Sequence, residues 1–177
     1  MLIAPTQQEK ILKIIVAGNS GVGKTTLLKR YVEGKFMQAS KMTVGVDHFI
    51  KELQHSNTLC KMQLWDLGGQ DRFRYIVDIA LRGTQGALLL FDVTNYSSFL
   101  SLDKWVKLLR SQDKELPILL IATKCDLYEF SVVKNVLIPK IVKRNQMCDY
   151  IETSSKTGQN IEKVFESLIS YLITPKV

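Results

Sequence analysis

Two spacings of hydrophobic positions alternate along the chain and predict strands alternating with helices. Ile11-Leu12-Lys13-Ile14-Ile15-Val16-Ala17 is apolar and β-branched, the pattern of a strand buried on both faces. From Lys24 the spacing becomes helical over 24–33, with Leu27, Leu28, Tyr31 and Val32 along one side, and Gly34 reads as the C-cap. A polar loop follows from Lys35 to Thr43. Residues 44–66 read as two strands about a turn at His55-Ser56-Asn57, antiparallel because that turn is too short for a crossover. In the second of them Cys60, Met62 and Leu64 alternate with Lys61 and Gln63. Leu67-Gly68-Gly69-Gln70 then leads into a charged helix over 71–82. A strand over 86–92 precedes a helix over 97–111, with Phe99, Leu102, Trp105, Val106 and Leu109 facing inward. After a strand over 117–122 comes a basic helical region over 131–144, where Pro139 either kinks the helix or restarts it. A strand over 149–152 and a helix over 160–172 close the pattern.

Such alternation implies an α/β fold: a mostly parallel sheet with helices on both faces and ligands at the carboxyl ends of its strands. Residues 1–10 form a polar lead-in, 11–173 a single domain and 174–177 a short end. The chain has 177 residues and is 46% hydrophobic, which suits one globular domain rather than a disordered chain. No apolar run reaches the length of a bilayer, and the first residues lack the charge and apolar stretch of a signal peptide. Leu2 excludes N-myristoylation, and the end at Val177 offers no cysteine for prenylation. Cys60, Cys125 and Cys148 are widely spaced, so neither a disulfide framework nor a zinc site is expected, and the setting is a reducing cytoplasm. The net charge of +7 is scattered and has no interleaved aromatics, which argues against a nucleic-acid partner.

The candidate chemistry lies in the loops after the strands. Gly18-Asn19-Ser20-Gly21-Val22-Gly23-Lys24-Thr25 fits the phosphate-binding pattern G-x-x-x-x-G-K-[ST] and sits between a strand and a helix. Gly21 and Gly23 permit backbone angles that a Cβ would oppose, so loop amides can converge on an anion at the helix N-terminus. Lys24 adds a point charge for the outer phosphates, and Thr25 a hard oxygen for Mg²⁺. Asp66, at the end of a strand, can hold that metal through water. Gly69 can bring an N–H to a terminal phosphate, and Gln70 can orient an attacking water. Thr43 can complete the metal shell and sense the last phosphate. Thr123-Lys124-Cys125-Asp126 and Thr153-Ser154-Ser155-Lys156 end the next strands. The Asp126 carboxylate can accept two hydrogen bonds from a guanine edge, which adenine does not offer. Lys124 and Lys156 can cover the faces of the base with their stems while their heads stay wet.

With these motifs in this order, the chain resembles a Ras-superfamily small GTPase over about residues 11 to 172, most of all the Rab branch. Rab-like details are Ser20, Thr43-Val44-Gly45-Val46-Asp47 with Lys51, Trp65-Asp66, Arg72-Phe73 and Glu152-Thr153-Ser154. The resemblance implies a P-loop NTPase fold, with a six-stranded sheet that has one antiparallel edge strand. It also implies GTP/GDP and Mg²⁺ as ligands, with the nucleotide bound by residues 19–26 (Thr26 included), Phe36, Thr43, Gly69, Thr123, Lys124, Asp126 and Ser154 to Lys156. Phe36 would stack edge-on against the guanine, and the Ser155 N–H would meet its O6. Loops 35–43 and 67–78 would be the two switches. Residues 35–51 and 67–78 would then meet effector, exchange-factor and GTPase-activating proteins, on a monomer that is cytoplasmic or, with a longer native tail, peripheral at a membrane.

Some residues depart from the pattern. Thr123 replaces the usual asparagine, as in the Rho branch, which predicts weaker bracing of the phosphate loop. Gly68 stands where Rab proteins carry alanine and resembles the Arf branch. Ser40 and Met42 replace an aromatic and a proline, suggesting a looser first switch, and His48 replaces a phenylalanine. No arginine stands where it could act in cis, so intrinsic GTP hydrolysis is expected at roughly 10⁻⁴ to 10⁻² s⁻¹. Two other readings remain open here. One is a nucleotide-holding interaction module that does not cycle; the other is a small-molecule kinase, which Asp126 disfavours.

Overall fold

The computed structural model describes residues 8–37, 43–68 and 74–174, with 74–76 described by backbone alone. Its strands are β1 (Gln8–Ala17), β2 (Val46–His55), β3 (Thr58–Leu67), β4 (Gly86–Asp92), β5 (Ile118–Thr123) and β6 (Asp149–Glu152). They form a six-stranded sheet in the order β2-β3-β1-β4-β5-β6. All neighbours run parallel except β2 and β3, whose antiparallel register from Val46↔Leu67 to His55↔Thr58 follows from the short turn between them. Every residue of β4 and β5 is buried, as expected of central strands covered on both sides.

Helices α1 (Lys24–Glu33) and α6 (Ile161–Ile173) cover one face; α2 (Arg74–Leu81), α3 (Tyr96–Leu100), α4 (Leu102–Leu109) and α5 (Ile138–Arg144) cover the other. On the first face Leu27, Leu28 and Phe165 pack on Met62, Leu64 and Leu88, and the Tyr31 ring stacks on Phe165 at 3.6 Å. On the second, Leu102, Val106 and Ile138 pack on Ile15, Leu89 and Leu120. Of these, Leu27, Leu28, Tyr31, Leu102 and Val106 are inward positions that the helical spacing marks. Gly34 ends α1 in the left-handed region (φ 71°), with its N–H on the Arg30 carbonyl at 3.1 Å. Among the described residues, no helix is long and apolar enough to cross a membrane.

Three elements differ from the sequence pattern. First, β1 begins at Gln8, because Gln8, Glu9 and Lys10 pair with Thr58, Leu59 and Cys60; the polar lead-in is therefore shorter than residues 1–10. Second, the helix expected over 97–111 is broken at Ser101 into α3 and α4. The Ser101 hydroxyl donates to the Ser97 carbonyl at 2.8 Å while the Ser101 N–H reaches the same oxygen at 3.2 Å, and such back-bonding bends helices. Third, the region 131–144 is helical mainly at its end. Short 3-10 segments occupy Cys125–Phe130 and Asn135–Leu137, and α5 restarts with Pro139 in its first turn, where a missing N–H leaves no helical bond unmade.

Candidate active site

The loop between β1 and α1 is shaped by its glycines. At Gly18 (φ 135°) a Cβ would collide with the Leu90 carbonyl, and Gly21 and Gly23 hold φ of 78° and 98°. Gly23 directly precedes α1, so the positive end of that helix opens into the loop. Lys24 is buried at 6% exposure, and its ammonium donates to the carbonyls of Gly18 (2.8 Å) and Asn19 (2.9 Å). Burial pushes its pKa down to about 8, while Asp66 acts in the opposite direction. A phosphate placed here would meet a lysine already folded into the loop. Val22 is buried, whereas Ser20 and Thr26 are half-buried.

Beside this loop Thr25, Thr43 and Asp66 meet. The Thr25 hydroxyl donates to Asp66 Oδ2; Thr43 Oγ1 lies 3.3 Å from the same oxygen and 2.8 Å from Thr25 Oγ1. Asp66 is fully buried at the end of β3, and its other oxygen, Oδ1, has no hydrogen-bond partner among the described residues. Burial is the main cause that raises its pKa; the Thr25 hydrogen bond, Lys24 and Thr43 pull it back. Two hydroxyls and a buried carboxylate with one unpaired oxygen form a hard-oxygen donor set, which fits a small divalent cation such as Mg²⁺. Gly68 permits this closure: its N–H bonds the Gly45 carbonyl at 2.7 Å, and a Cβ would lie 2.9 Å from the carbonyl oxygens of Thr43 and Gly45. Gly69, Gln70, Ser40 and Met42 lie outside the described residues.

At the end of β5 the Thr123 hydroxyl lies 2.6 Å from the Val22 carbonyl and 2.9 Å from that of Phe91. It thus braces the phosphate loop with one proton, where an asparagine amide would bring two. Asp126 is exposed, and its Oδ1 accepts from the Ser154 hydroxyl at 2.6 Å. The Ser154 oxygen in turn accepts the Thr157 N–H at 3.1 Å, and the Cys125 N–H bonds the Thr153 carbonyl at 3.0 Å. The two loops are therefore locked together with the Asp126 carboxylate facing solvent. Ser155 is half-buried, Lys156 is exposed, and Phe36 is 41% exposed.

Lys124 has a partner beyond its expected role: its ammonium lies 2.6 Å from Asp92 Oδ2, at the end of β4, while its side chain remains 39% exposed. Asp92 is itself buried, and its Oδ1 accepts from the Thr94 N–H (2.8 Å) and hydroxyl (2.7 Å). Sequence reasoning missed Asp92. The signal was an acid closing an otherwise apolar strand, Gly86-Ala87-Leu88-Leu89-Leu90-Phe91-Asp92. The Asn19 carbonyl serves Lys24, and its side chain reaches toward α4.

Hydrogen bonds thus join all the described motifs along one edge of the sheet. Thr25, Thr43 and Asp66 share one cluster, Thr123 reaches Val22, and Ser154 reaches Asp126. One end gathers hard oxygen donors beside the glycine loop, and the other presents the exposed Asp126 carboxylate.

The Ras family model matches residues 13–174. Among curated proteins, Ras-related protein Rab-11B of Dictyostelium discoideum is 33% identical over 173 residues, covering 97% of this chain and 78% of that one. Ras-related protein RABA2a of Arabidopsis thaliana is 35% identical, covering 93% of this chain and 76% of its own length. The GTP-binding protein ypt3 of Schizosaccharomyces pombe is 33% identical, covering 93% and 77%.

Proposed function

Because the chain belongs to the Ras family, in its Rab branch, we infer that the joined loops form a guanine-nucleotide switch site that binds GTP and GDP and hydrolyses GTP. The observation that carries this reading is the Thr25–Thr43–Asp66 cluster. It ties a loop downstream of α1 to the phosphate loop and to the end of β3, and so gives residue 43 a reason to move when the outer phosphate leaves.

Lys24 and the amides of residues 19–26 hold the phosphates, and Asp126, with Ser155 and Lys156 beside it, selects guanine over adenine. Thr25 and Thr43 would hold Mg²⁺ with Asp66 behind them, where the ion would neutralise charge on the phosphate oxygens. Gln70 orients the attacking water, and Gly69 offers its N–H to the outer phosphate. The protein's contribution is chiefly positioning and electrostatics, because phosphoryl transfer leaves little covalent work for side chains. Turnover is slow, roughly 10⁻⁴ to 10⁻² s⁻¹, until an activating protein supplies the missing positive charge.

Residues 35–51 and 67–78 contact effectors, exchange factors and activators, and Phe36 stacks on the base. The protein acts as a monomer in membrane trafficking, working from the cytoplasm. The Rab names of its relatives support a switch over a module that holds nucleotide without cycling.

Single-turnover GTP hydrolysis tests the reading. Wild type should hydrolyse bound GTP within the range above, and Gln70→Leu should slow it by at least tenfold while leaving GDP affinity intact. Equal rates for the two proteins would remove Gln70 from the mechanism.

A further inference from the structure

Asn19 lies within the phosphate loop, and its side chain faces α4. Its Oδ1 is 2.8 Å from the Trp105 indole Nε1, and its Nδ2 is 3.1 Å from the Ser101 hydroxyl. The chemistry of the partners fixes the direction of each bond. An indole N–H can only donate, so the Asn19 oxygen must face it and the amide N–H₂ must face Ser101. The Ser101 hydroxyl has its proton on the Ser97 carbonyl at 2.8 Å and is left to accept from Asn19. Each group is used once, and none competes.

The same residue holds the lysine. The Asn19 carbonyl accepts from the Lys24 ammonium at 2.9 Å, beside that of Gly18 at 2.8 Å. The side chain is thus anchored to helix α4 while the backbone collars the cation. Trp105 is fixed in turn, because it is half-buried against the core beneath α4. The broken helix belongs to this arrangement, since the hydroxyl that disturbs it at Ser101 is the one that receives the Asn19 amide.

We propose that Trp105 and Ser101 are positioning residues for nucleotide binding, which clamp the Asn19 corner of the phosphate loop from outside through its side-chain amide. The clamp rests on the nucleotide-site reading above. It predicts that groups outside the nucleotide pocket control how long nucleotide stays bound.

The test is a double-mutant cycle on the dissociation rate of a fluorescent GDP analogue. Trp105→Phe keeps the aromatic packing and removes the N–H, and Asn19→Ala removes both amide bonds. A neutral hydrogen bond lost from a folded protein changes an equilibrium by about 3- to 10-fold, so Trp105→Phe should speed release by that factor. In the Asn19→Ala background Trp105→Phe should add less than about twofold, whereas a packing role for Trp105 would act equally in both backgrounds. Ser101→Ala should likewise speed release, and Ser101→Thr, which keeps the hydroxyl, should restore it; this pair decides the matter if Trp105→Phe does not fold. Wild-type release rates in Trp105→Phe and Ser101→Ala, or factors that multiply in the double mutant, would overturn the clamp. Wild type that fails to bind GDP at all would overturn the nucleotide-site reading beneath it, a result distinct from a failed cycle.

Discussion

Thr123→Val isolates one hydroxyl that links the end of β5 to the phosphate loop. Valine has nearly the shape of threonine, so the change leaves no cavity and removes one proton donor. That hydroxyl is buried at 4% exposure and has a single proton to share between the Val22 carbonyl at 2.6 Å and the Phe91 carbonyl at 2.9 Å. The shorter distance assigns the proton to Val22. A buried acceptor deprived of its donor costs about 1–3 kcal/mol, and a single neutral contact lies in the lower part of that range, so a loss of about 1.5 kcal/mol is expected. For a domain of this size that lowers the melting temperature by about 3–6 °C. Where the loop relaxes once nucleotide leaves, part of the same loss appears as faster GDP release, up to about tenfold. Thermal unfolding of the GDP-bound protein and displacement of a fluorescent GDP measure the two effects. Thr123→Ser, which restores the proton, should recover most of both. A Thr123→Val protein that melts within about 1 °C of wild type and releases GDP at the same rate would refute the brace.

Three further outcomes follow from the same geometry. Asp92→Asn should weaken GDP binding severalfold through Lys124, so in a Lys124→Met background, which keeps the stem and drops the charge, the same change should add little; equal effects in both backgrounds would deny the ion pair a role. Gly68→Ala places a Cβ 2.9 Å from the carbonyl oxygens of Thr43 and Gly45, so it should push the Thr43 loop off Asp66 and weaken the Mg²⁺ dependence of nucleotide retention; unchanged retention across a Mg²⁺ titration would contradict that. For Lys24, burial lowers the pKa from 10.5 to about 8. Between those values the unfolded chain binds more protons than the folded one, so stability rises with pH across that window. Nucleotide affinity should move the opposite way, falling above pH 8 as the ammonium is lost. Urea midpoints that run parallel in wild type and Lys24→Met from pH 8 to 10 would show that Lys24 does not carry this dependence.

The elements legible in the sequence were those whose causes are local. Apolar runs mark β4, glycines at 18, 21 and 23 mark the phosphate loop, and the spacing of Leu27, Leu28 and Tyr31 marks α1 with its stop at Gly34. Each depends on neighbours within a turn or two of chain. The motif residues Lys24, Thr25, Thr43, Asp66 and Asp126 were legible for a related reason: loop chemistry at strand ends allows few residue types.

What escaped the sequence are partnerships between segments far apart in the chain. Nothing near Asn19 in the chain points to Trp105, 86 residues away, as the partner of its side-chain amide oxygen. Nothing local pairs Lys124 with Asp92 on the neighbouring strand end, or the Thr123 hydroxyl with the Val22 carbonyl. Gln8 to Lys10 carry no apolar signal and become strand only because β3 lies alongside to pair with them. By itself, then, the sequence determined the order of elements, the loop that cradles phosphate and the class of chemistry, since propensity, periodicity and glycine freedom act over a few residues. The tertiary structure alone decided which polar groups meet, because a hydrogen bond needs its donor and acceptor within about 3 Å, and only the packed sheet brings such remote residues that close.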